Sequence, residues 1–238
     1  MQQRHCVLCQ RDVTNWLPFH FTEDDLSSFL LRVGVTGSNL RRFYCPLCRS
    51  IDRERHLKLF FDRLQIWDCF KGALLHMAPE PALAAAILQH GPSRYIRGDL
   101  QPQDPAVKKI DIEAIPYPDE AFDVVICNHV LEHVNHPTIA LAEVGRVLKK
   151  GGRFICQTPF ARRLSKTLED PLLQSEDDRI FFYAQHNHLR LFGIDMEQLI
   201  RQAGFVGSLR AHDELLPEID PENLGVNEFE PFFDFVRD

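Results

Sequence analysis

No window of this 238-residue sequence approaches the ~18 apolar residues that a membrane span requires, and the basic residue of its opening stretch, MQQRHCVLCQ, is followed by no apolar run of the secretory kind. The expectation is a soluble, unsecreted, cytoplasmic chain with no membrane partner. An excess of positive charge is also missing. Lys and Arg number 27 against 34 Asp and Glu, a net charge of -7, so a phosphate polyanion meets a repulsive average field unless basic residues gather locally. Nucleic acid is thereby demoted as a partner without being excluded. There is no internal repeat and no low-complexity tract, so neither a solenoid nor a compositionally biased tail is expected. Cysteine does not come in an even number. Seven thiols in an unsecreted chain point to metal ligands and core residues instead of a disulfide framework. The length suits one large domain, or a catalytic domain with a small appendage.

Along the chain, the first fifty-odd residues read as a separate module: two cysteine pairs, few strand signals, and a polar stretch (Glu23 to Ser28) opening a helix near Leu26 to Val33. Arg53 to Trp67, with Leu57, Phe60, Phe61 and Leu64 at helical spacing, predicts a bridging helix. The rhythm then changes. Ala73 to Met77 reads as strand, Pro81 to Gln89 as helix, Arg94 to Gly98 as strand, Val107 to Ile110 as a further short strand and Phe122 to Cys127 as a buried strand. Pro137 to Leu148 reads as a helix with Lys149 to Gly152 as its basic last turn and glycine stop, before a strand from Arg153 to Gln157. A mixed segment follows from Pro159 to Leu191, then a helix from Asp195 to Ala203, a strand from Phe205 and the aromatic end FEPFFDFV. Strands alternating with helices imply βαβ units. The predicted fold is α/β, an open and mostly parallel sheet over residues 57–238, preceded by a small zinc-ribbon-like module over residues 1–56.

Cys6-x-x-Cys9 and Cys45-x-x-Cys48 are each spaced to turn two thiolates onto one tetrahedral ion, and together they complete a four-thiolate shell. The expected ion is structural Zn2+, because a closed shell leaves no position for chemistry. His5, His20 and His56 are spare ligands, while Cys69, Cys127 and Cys156 sit in apolar contexts that suit core residues.

Open parallel sheets bind ligands beyond the carboxyl ends of their strands. The first strand runs into HMAPEP, where Ala78, Pro79 and Glu80 stand in place of a glycine-rich turn. The second ends at Asp99, 21 residues after Ala78 and followed by Leu100, at the interval where an acid reaches ribose hydroxyls. Asp111 and Ile112 follow the third, suited to an adenine edge and face. Asn128 and His129 follow the fourth, in NHVLEHV.

From Leu74 to Gln157 the chain resembles class I S-adenosylmethionine-dependent methyltransferases of the type 11 kind. The residues that carry the resemblance are Asp111-Ile112-Glu113-Ala114-Ile115-Pro116-Tyr117-Pro118-Asp119-Glu120-Ala121-Phe122-Asp123, then NHVLEHV, EVGRVLKKGGRFICQTP and, further on, Ala203-Gly204-Phe205. The departure is the first loop, with His76 where an acid often stands. The resemblance implies S-adenosyl-L-methionine as methyl donor, held by Ala78, Pro79, Glu80, Asp99, Leu100, Asp111, Ile112, Asn128 and His129, and an in-line displacement by an acceptor nucleophile. His129 and His133 lie where the methyl should project and are the first candidates for a general base. In similar enzymes the region of Gln185 to Arg190 forms the acceptor pocket, which makes His186, His188 and Arg190 candidates to grip an anionic or hydroxylated substrate. Arg49, Arg53, Arg55 and His56 could line the same pocket from the zinc side.

Three rival readings stand beside this one. His129-x-x-Glu132-His133 matches the inverted zinc-peptidase signature, which needs both histidines on one helix. Between Asn39 and Lys58, six basic residues (Arg41, Arg42, Arg49, Arg53, Arg55, Lys58) face two acidic ones, a local +4 that would suit RNA methylation with the zinc module as RNA binder. A catalytically silent adapter would keep the fold and use the zinc module for protein contacts. The favoured acceptor is a small or conjugated metabolite such as a sugar or natural-product intermediate, and the sequence specifies no oligomeric state.

Overall fold

A computed structural model describes residues 4–20 and 26–238; of the polar stretch that opens the first helix, Glu23, Asp24 and Asp25 lie outside them. The early chain has too few apolar residues for a large core and forms short pieces. Arg4–Cys6 (β1) and Arg11–Val13 (β2) pair antiparallel. Ser28–Val33 (α1) starts where the Ser27 side chain accepts the Leu30 N–H and stops at left-handed Gly34. Val35–Thr36 (β3) follows. The bridging helix is Asp52–Leu64 (α2). Glu54 Oε2 accepts the Ile51 N–H at 2.8 Å, and Gln65 closes the helix in the left-handed region.

Beyond it, alternation of short apolar runs builds the sheet: Ala73–Met77 (β4), Pro81–Gln89 (α3), Arg94–Asp99 (β5), Lys108–Lys109 (β6), Phe122–Cys127 (β7), Pro137–Val147 (α4) and Leu148–Ile155 (β8). Phe160–Ala161 (β9), Glu176–Tyr183 (α5), Met196–Gln202 (α6), Phe205–Arg210 (β10), His212–Leu215 (α7), Pro221–Leu224 (α8) and Phe232–Arg237 (β11) complete the chain. Among the described residues the central sheet has seven strands, in the order β10-β11-β8-β7-β4-β5-β6. β6, β5, β4, β7 and β8 are parallel, and β11 and β10 add on antiparallel. Strand order reverses between β4 and β7, the place where open sheets leave a crevice. Successive residues of β4 and β7 serve opposite cores. Leu75, Met77, Val125 and Cys127 pack with α4 and α6, while Leu74, Val124 and Ile126 pack with Leu57, Phe60 and Phe61 of α2.

Lys149 to Gly152 do not form the last turn of a helix. Leu148 is fully buried and pairs with Phe122, whereas the next partner on β7, Val124, meets Arg153. The residues between are therefore extra on one strand and form a bulge, with Gly151 at φ 73 and Lys149 Nζ 2.7 Å from Asp123. After Ile155 the strand gives way to side-chain pairing: Gln157 Nε2 donates to the Pro231 carbonyl at 2.8 Å and its Oε1 accepts from Phe233 N–H at 2.9 Å. Among the described residues no helix is long and apolar enough to cross a membrane.

The N-terminal pieces are tied into the rest of the chain. β3 pairs with β9, Trp16 Nε1 donates to the Glu222 carbonyl at 2.9 Å, and Arg42 pairs with Glu222 and Glu228, both at 3.2 Å. The Trp16 ring lies against Gly225, which has φ +61 and where a Cβ would stand 2.4 Å from Trp16 Cε2. Gly225→Ala meets both a left-handed backbone and a ring that cannot yield. Its expected cost is about 2–4 kcal/mol, read as a lowered midpoint in urea unfolding; a loss under about 0.5 kcal/mol would show that Trp16 moves freely.

Candidate functional site

The two cysteine pairs converge. Cys6 and Cys48 Sγ are 3.7 Å apart and Cys9 and Cys45 Sγ 4.0 Å, with all four sulfurs within 4.8 Å of one another. Each pair closes in the same way, with Gln10 N–H donating to Cys6 O at 2.8 Å and Arg49 N–H to Cys45 O at 3.0 Å, both residues at positive φ. A tetrahedral ion with bonds of about 2.3 Å separates its sulfurs by about 3.8 Å, so the donor set fits zinc.

At the carboxyl edge of the sheet stand Ala78 to Glu80 after β4, Asp99 at the end of β5, Asp111 after β6 and Asn128 to His129 after β7; Ala78, Pro79 and Glu80 line a groove there with Ile51 and Arg53. Met77 pairs with Gly98, so Ala78 and Asp99 leave the sheet side by side. Ala78 takes φ 46, the left-handed turn that glycine usually supplies, at a cost of order 1–2 kcal/mol. Its N–H donates to Gly98 O at 2.7 Å. His76 is buried and bonds to Tyr95 Oη and Glu80 Oε2, both at 2.9 Å. Burial alone would raise the Glu80 carboxyl, but the His76 contact brings it below the ordinary carboxylate value, while its Oε1 has no partner. The N–H groups of Ala82 and Leu83 at the start of α3 donate to Glu54 Oε1 at 2.9 and 3.0 Å. The helix terminus that a glycine-rich turn would offer to a ligand is thus taken by a carboxylate from α2.

Asp99 is half-buried, with Oδ1 accepting Gln101 N–H at 2.7 Å. Asp111 is exposed, its Oδ1 accepting Glu113 N–H at 2.9 Å. Leu100 is exposed, whereas Ile112 belongs to the core, so Leu100 offers the apolar face that the sequence reading gives to Ile112. Asn128 is buried, its Oδ1 accepting Gln157 N–H at 3.1 Å, and its Nδ2 has no partner.

His129 turns the chain at φ 53 and enters the wall of a cavity of about 710 Å³, a size that suits a small molecule. The N-terminal segment supplies Phe43, Tyr44 and Arg53 to this cavity, and the later chain supplies Arg162, His188 and Phe229. Behind His129 stand two buried carboxylates. Its Nδ1 is 3.5 Å from Glu132 Oε1 and its Nε2 3.8 Å from Glu230 Oε1. Burial opposes ionisation of Glu132, but the imidazoles around it, His129 foremost, bring its carboxyl down to about 2. Burial raises the Glu230 carboxyl, against the pull of His129 and Arg53. Neither acid is among the residues picked out from sequence as site residues. Glu132 entered there only through the peptidase signature, and Glu230 is one of two acids, with Asp234, inside the aromatic end.

His188 is buried, and burial holds its imidazole down to about 4; its Nδ1 donates to Tyr183 O at 2.6 Å. His133 Nδ1 stands 3.2 Å from Asn187 O. Four residues do not act as their sequence context suggested. His186 is exposed and faces a neighbouring apolar hollow beside Phe181 and Leu26. Arg190 is fully buried, with its N–H groups on both Glu169 oxygens and on the carbonyls of Leu131, Val134 and Asn135, so it braces the loop after β7 and grips no substrate. Arg55 is closed in by carbonyls, and His56 is buried against His212 at 2.8 Å. Of the zinc-side residues, Arg53 lines the cavity and Arg49 the groove beside Ala78 and Glu80.

The peptidase reading fails on local structure. Residues 129–133 form a bend and turn, not a helix, so the two histidines lack the one-turn spacing that reading requires. The basic cluster between Asn39 and Lys58 is partly committed as well: Arg55 is buried, Arg42 pairs with two glutamates, and Lys58 pairs with Asp62 at 2.6 Å.

Comparison with known proteins adds the following. Residues 80–156 match the family model described as a methyltransferase domain. An uncharacterized methyltransferase of Bacillus subtilis, YcgJ, is 32% identical over 78 residues, 33% of this chain and 28% of that protein. The ubiquinone/menaquinone biosynthesis C-methyltransferase UbiE of Paraburkholderia xenovorans is 51% identical over 45 residues, 19% of this chain and 18% of that protein. The matched stretches thus span well under a third of these relatives. Among solved structures, the [4+2]-cyclase SpnF aligns over 94% of this chain and 88% of its own with a TM-score of 0.54 at 14% identity. An S-adenosylmethionine dependent methyltransferase from Mesorhizobium loti aligns over 75% and 98% with a TM-score of 0.50 at 12% identity. At these identities the likeness is one of fold, and the fold is the Rossmann-like one of S-adenosylmethionine-dependent methyltransferases.

Proposed function

We propose that this chain is an S-adenosylmethionine-dependent methyltransferase acting on a small or conjugated metabolite, with a structural Zn2+ on Cys6, Cys9, Cys45 and Cys48. The observation that carries the reading is the adjacency of two spaces at the carboxyl edge of the sheet: a cavity of about 710 Å³ with His129 in its wall, and a groove lined by Ala78, Pro79 and Glu80 that shares Tyr44, Ile51 and Arg53 with it. In this reading residues 1–56 are the zinc module and residues 57–238 the catalytic domain, and both contribute wall to the cavity.

S-adenosylmethionine supplies a methyl group made electrophilic by the sulfonium. Asp99 would accept from the ribose hydroxyls, and Leu100 and Asp111 would flank the adenine. Ala78, Pro79 and Glu80 would hold the methionyl end, where the buried Glu80 carboxylate, with no partner on Oε1, suits an ammonium. Aromatic faces (Phe43, Tyr44, Phe229) and the Arg53 and Arg162 guanidinium groups suit an acceptor with an unsaturated or ring body and an anionic or hydroxylated edge. Holding that acceptor in line supplies up to about 7–11 kcal/mol of the barrier reduction. His129, with Glu132 and Glu230 beside its two ring nitrogens, would be the group to take a proton from the acceptor.

Calorimetric titration of zinc-analysed protein with S-adenosylmethionine and S-adenosylhomocysteine tests the donor half. Micromolar binding is expected, weakened about 10- to 150-fold in Asp99→Ala, the worth of one charge-assisted hydrogen-bond set. Absence of binding by the wild type to either compound would overturn the reading and favour a silent adapter.

A further inference from the structure

We propose that Glu132 Oε1, His133 Nε2 and His188 Nε2 form a second metal site, for a divalent first-row transition cation, beside the cavity. One ligand atom from each of the three residues lies within 4.8 Å of those of the other two, and each side chain is oriented from its far end. His188 Nδ1 is 2.6 Å from Tyr183 O and His133 Nδ1 3.2 Å from Asn187 O. A carbonyl can only accept, so both rings carry a proton on Nδ1, which leaves Nε2 of each as the ligand atom. This far-side pairing is the arrangement that fixes tautomer and direction in metal-ligating histidines. The two rings meet nearly edge to face, with centroids 4.7 Å apart. Glu132 is held likewise: its Oε2 accepts from Thr158 Oγ1 at 2.8 Å, and its carbonyl accepts Leu189 N–H at 2.9 Å.

The remaining oxygen is the independent observation. Glu132 Oε1 belongs to a residue only 1% exposed and makes no hydrogen bond; the imidazole nitrogens beside it, His129 Nδ1 at 3.5 Å and His133 Nε2 at 4.0 Å, stand beyond a normal hydrogen-bond distance. A buried carboxylate oxygen left unpaired is costly. A cation drawn to this point satisfies it, with the ligand atoms closing to the ~3.4 Å spacing that bonds of about 2.1 Å require. Two imidazoles and one carboxylate select Zn2+, Mn2+, Fe2+ or Co2+ over Ca2+ and leave coordination positions open. Since His188 also lines the cavity, those positions suit an acceptor oxygen, which a bound cation acidifies. Only this last role rests on the methyltransferase reading; cation binding does not.

The test is titration of zinc-loaded protein with CoCl2, without donor or acceptor, read by calorimetry and visible absorption. One Co2+ per chain is expected beyond the thiolate site, with ligand-field bands but no added thiolate charge-transfer absorption, and with affinity lowered at least about tenfold in both His188→Gln and His133→Ala. His133 has a side chain 31% exposed, so its truncation is expected to keep the wild-type thermal midpoint and serves as the control should His188→Gln misfold. Co2+ uptake at the cysteines alone, or an unchanged second affinity in His133→Ala, overturns the site. Co2+ binding in a protein that binds no S-adenosylmethionine would keep the cation site and remove the methyltransferase reading; the converse would do the opposite.

Discussion

Removing the metal from the four thiolates is expected to unfold the first fifty residues and to lower the thermal midpoint of the whole chain by more than about 10 °C. The module buries little apolar surface of its own, and its ties to the rest of the chain are a short strand pair and a few polar contacts. Its own buried cluster consists of Cys6, Val13, Trp16 and Cys45, far too little apolar area to offset the ordering entropy of the residues around it. Structural zinc in peptides of this kind contributes about 10–16 kcal/mol at neutral pH, more than those four side chains supply at roughly 1–3 kcal/mol each. The consequence spreads because Phe43, Tyr44 and Arg53 belong to the cavity wall and Glu54 caps α3. Chelation in a Trp67→Phe background leaves Trp16 as the sole tryptophan, and its emission is expected to shift red together with loss of the first thermal transition. Cys45→Ser should reproduce the effect without chelator. A midpoint that moves by less than about 1 °C in both would mean that the four thiols hold no structural ion.

The sheet was legible because its strands are short apolar runs punctuated by Gly, Pro and Asp. Ala73–Met77, Pro81–Gln89 and Phe122–Cys127 stand where periodicity puts them, to the residue. Lys149 to Gly152 misled because a basic pair followed by glycines signals a helix stop and a bulge equally well, and only burial of Leu148 opposite Phe122 decides between them. No helix is read from sequence in the mixed segment from Pro159 to Leu191, although Ser175 followed by Glu176, Asp177 and Asp178 is a complete helix start and caps α5 in the structure. At the site, residues just past the strands were readable from topology alone. Those that depend on distant pairing were not. Arg190 reads as a free cation in HNHLR, and nothing near it in sequence shows the carbonyls of Leu131, Val134 and Asn135 that consume its donors. Glu54 reads as an ordinary helix-face acid, yet it fills the helix terminus that the altered first loop leaves without a ligand turn. That pairing explains physically why HMAPEP need not contain a glycine: the phosphate-style cradle is replaced by a protein carboxylate, and the donor would be met by side chains.

Arg55→Met is expected to cost about 3–5 kcal/mol, the scale for breaking a buried charge network, and also to loosen the zinc. The guanidinium is fully buried. Nε and Nη2 donate to Gly225 O at 3.0 and 2.6 Å, Nη1 to Ser50 O at 2.6 Å and Nη2 to Arg42 O at 2.6 Å, while its plane lies 4.2 Å from the Trp16 ring centre. Its hydrogen bonds thus go to neutral oxygens, with no carboxylate among them. The negative charges that favour it are Asp52 and the thiolates of Cys6 and Cys45. A zinc ion with four thiolates carries a net charge of about 2−, so the metal site and Arg55 compensate each other across the module. Two substitutions separate the contributions. Arg55→Lys keeps the charge but cannot reach carbonyls on three segments with one ammonium; it should lose about 2 kcal/mol in urea unfolding while holding zinc within about threefold of wild type. Arg55→Met loses both, taking the guanidinium donors from the Arg42 and Gly225 carbonyls and leaving the tetrathiolate without its counter-charge, and should release zinc to a competing chelator at least tenfold more readily. Equal zinc retention in the Met variant would confine Arg55 to the carbonyl fork, and equal loss of zinc in the Lys variant would show that the fork, by fixing the turns around Ser50 and Gly225, is what positions the thiolates.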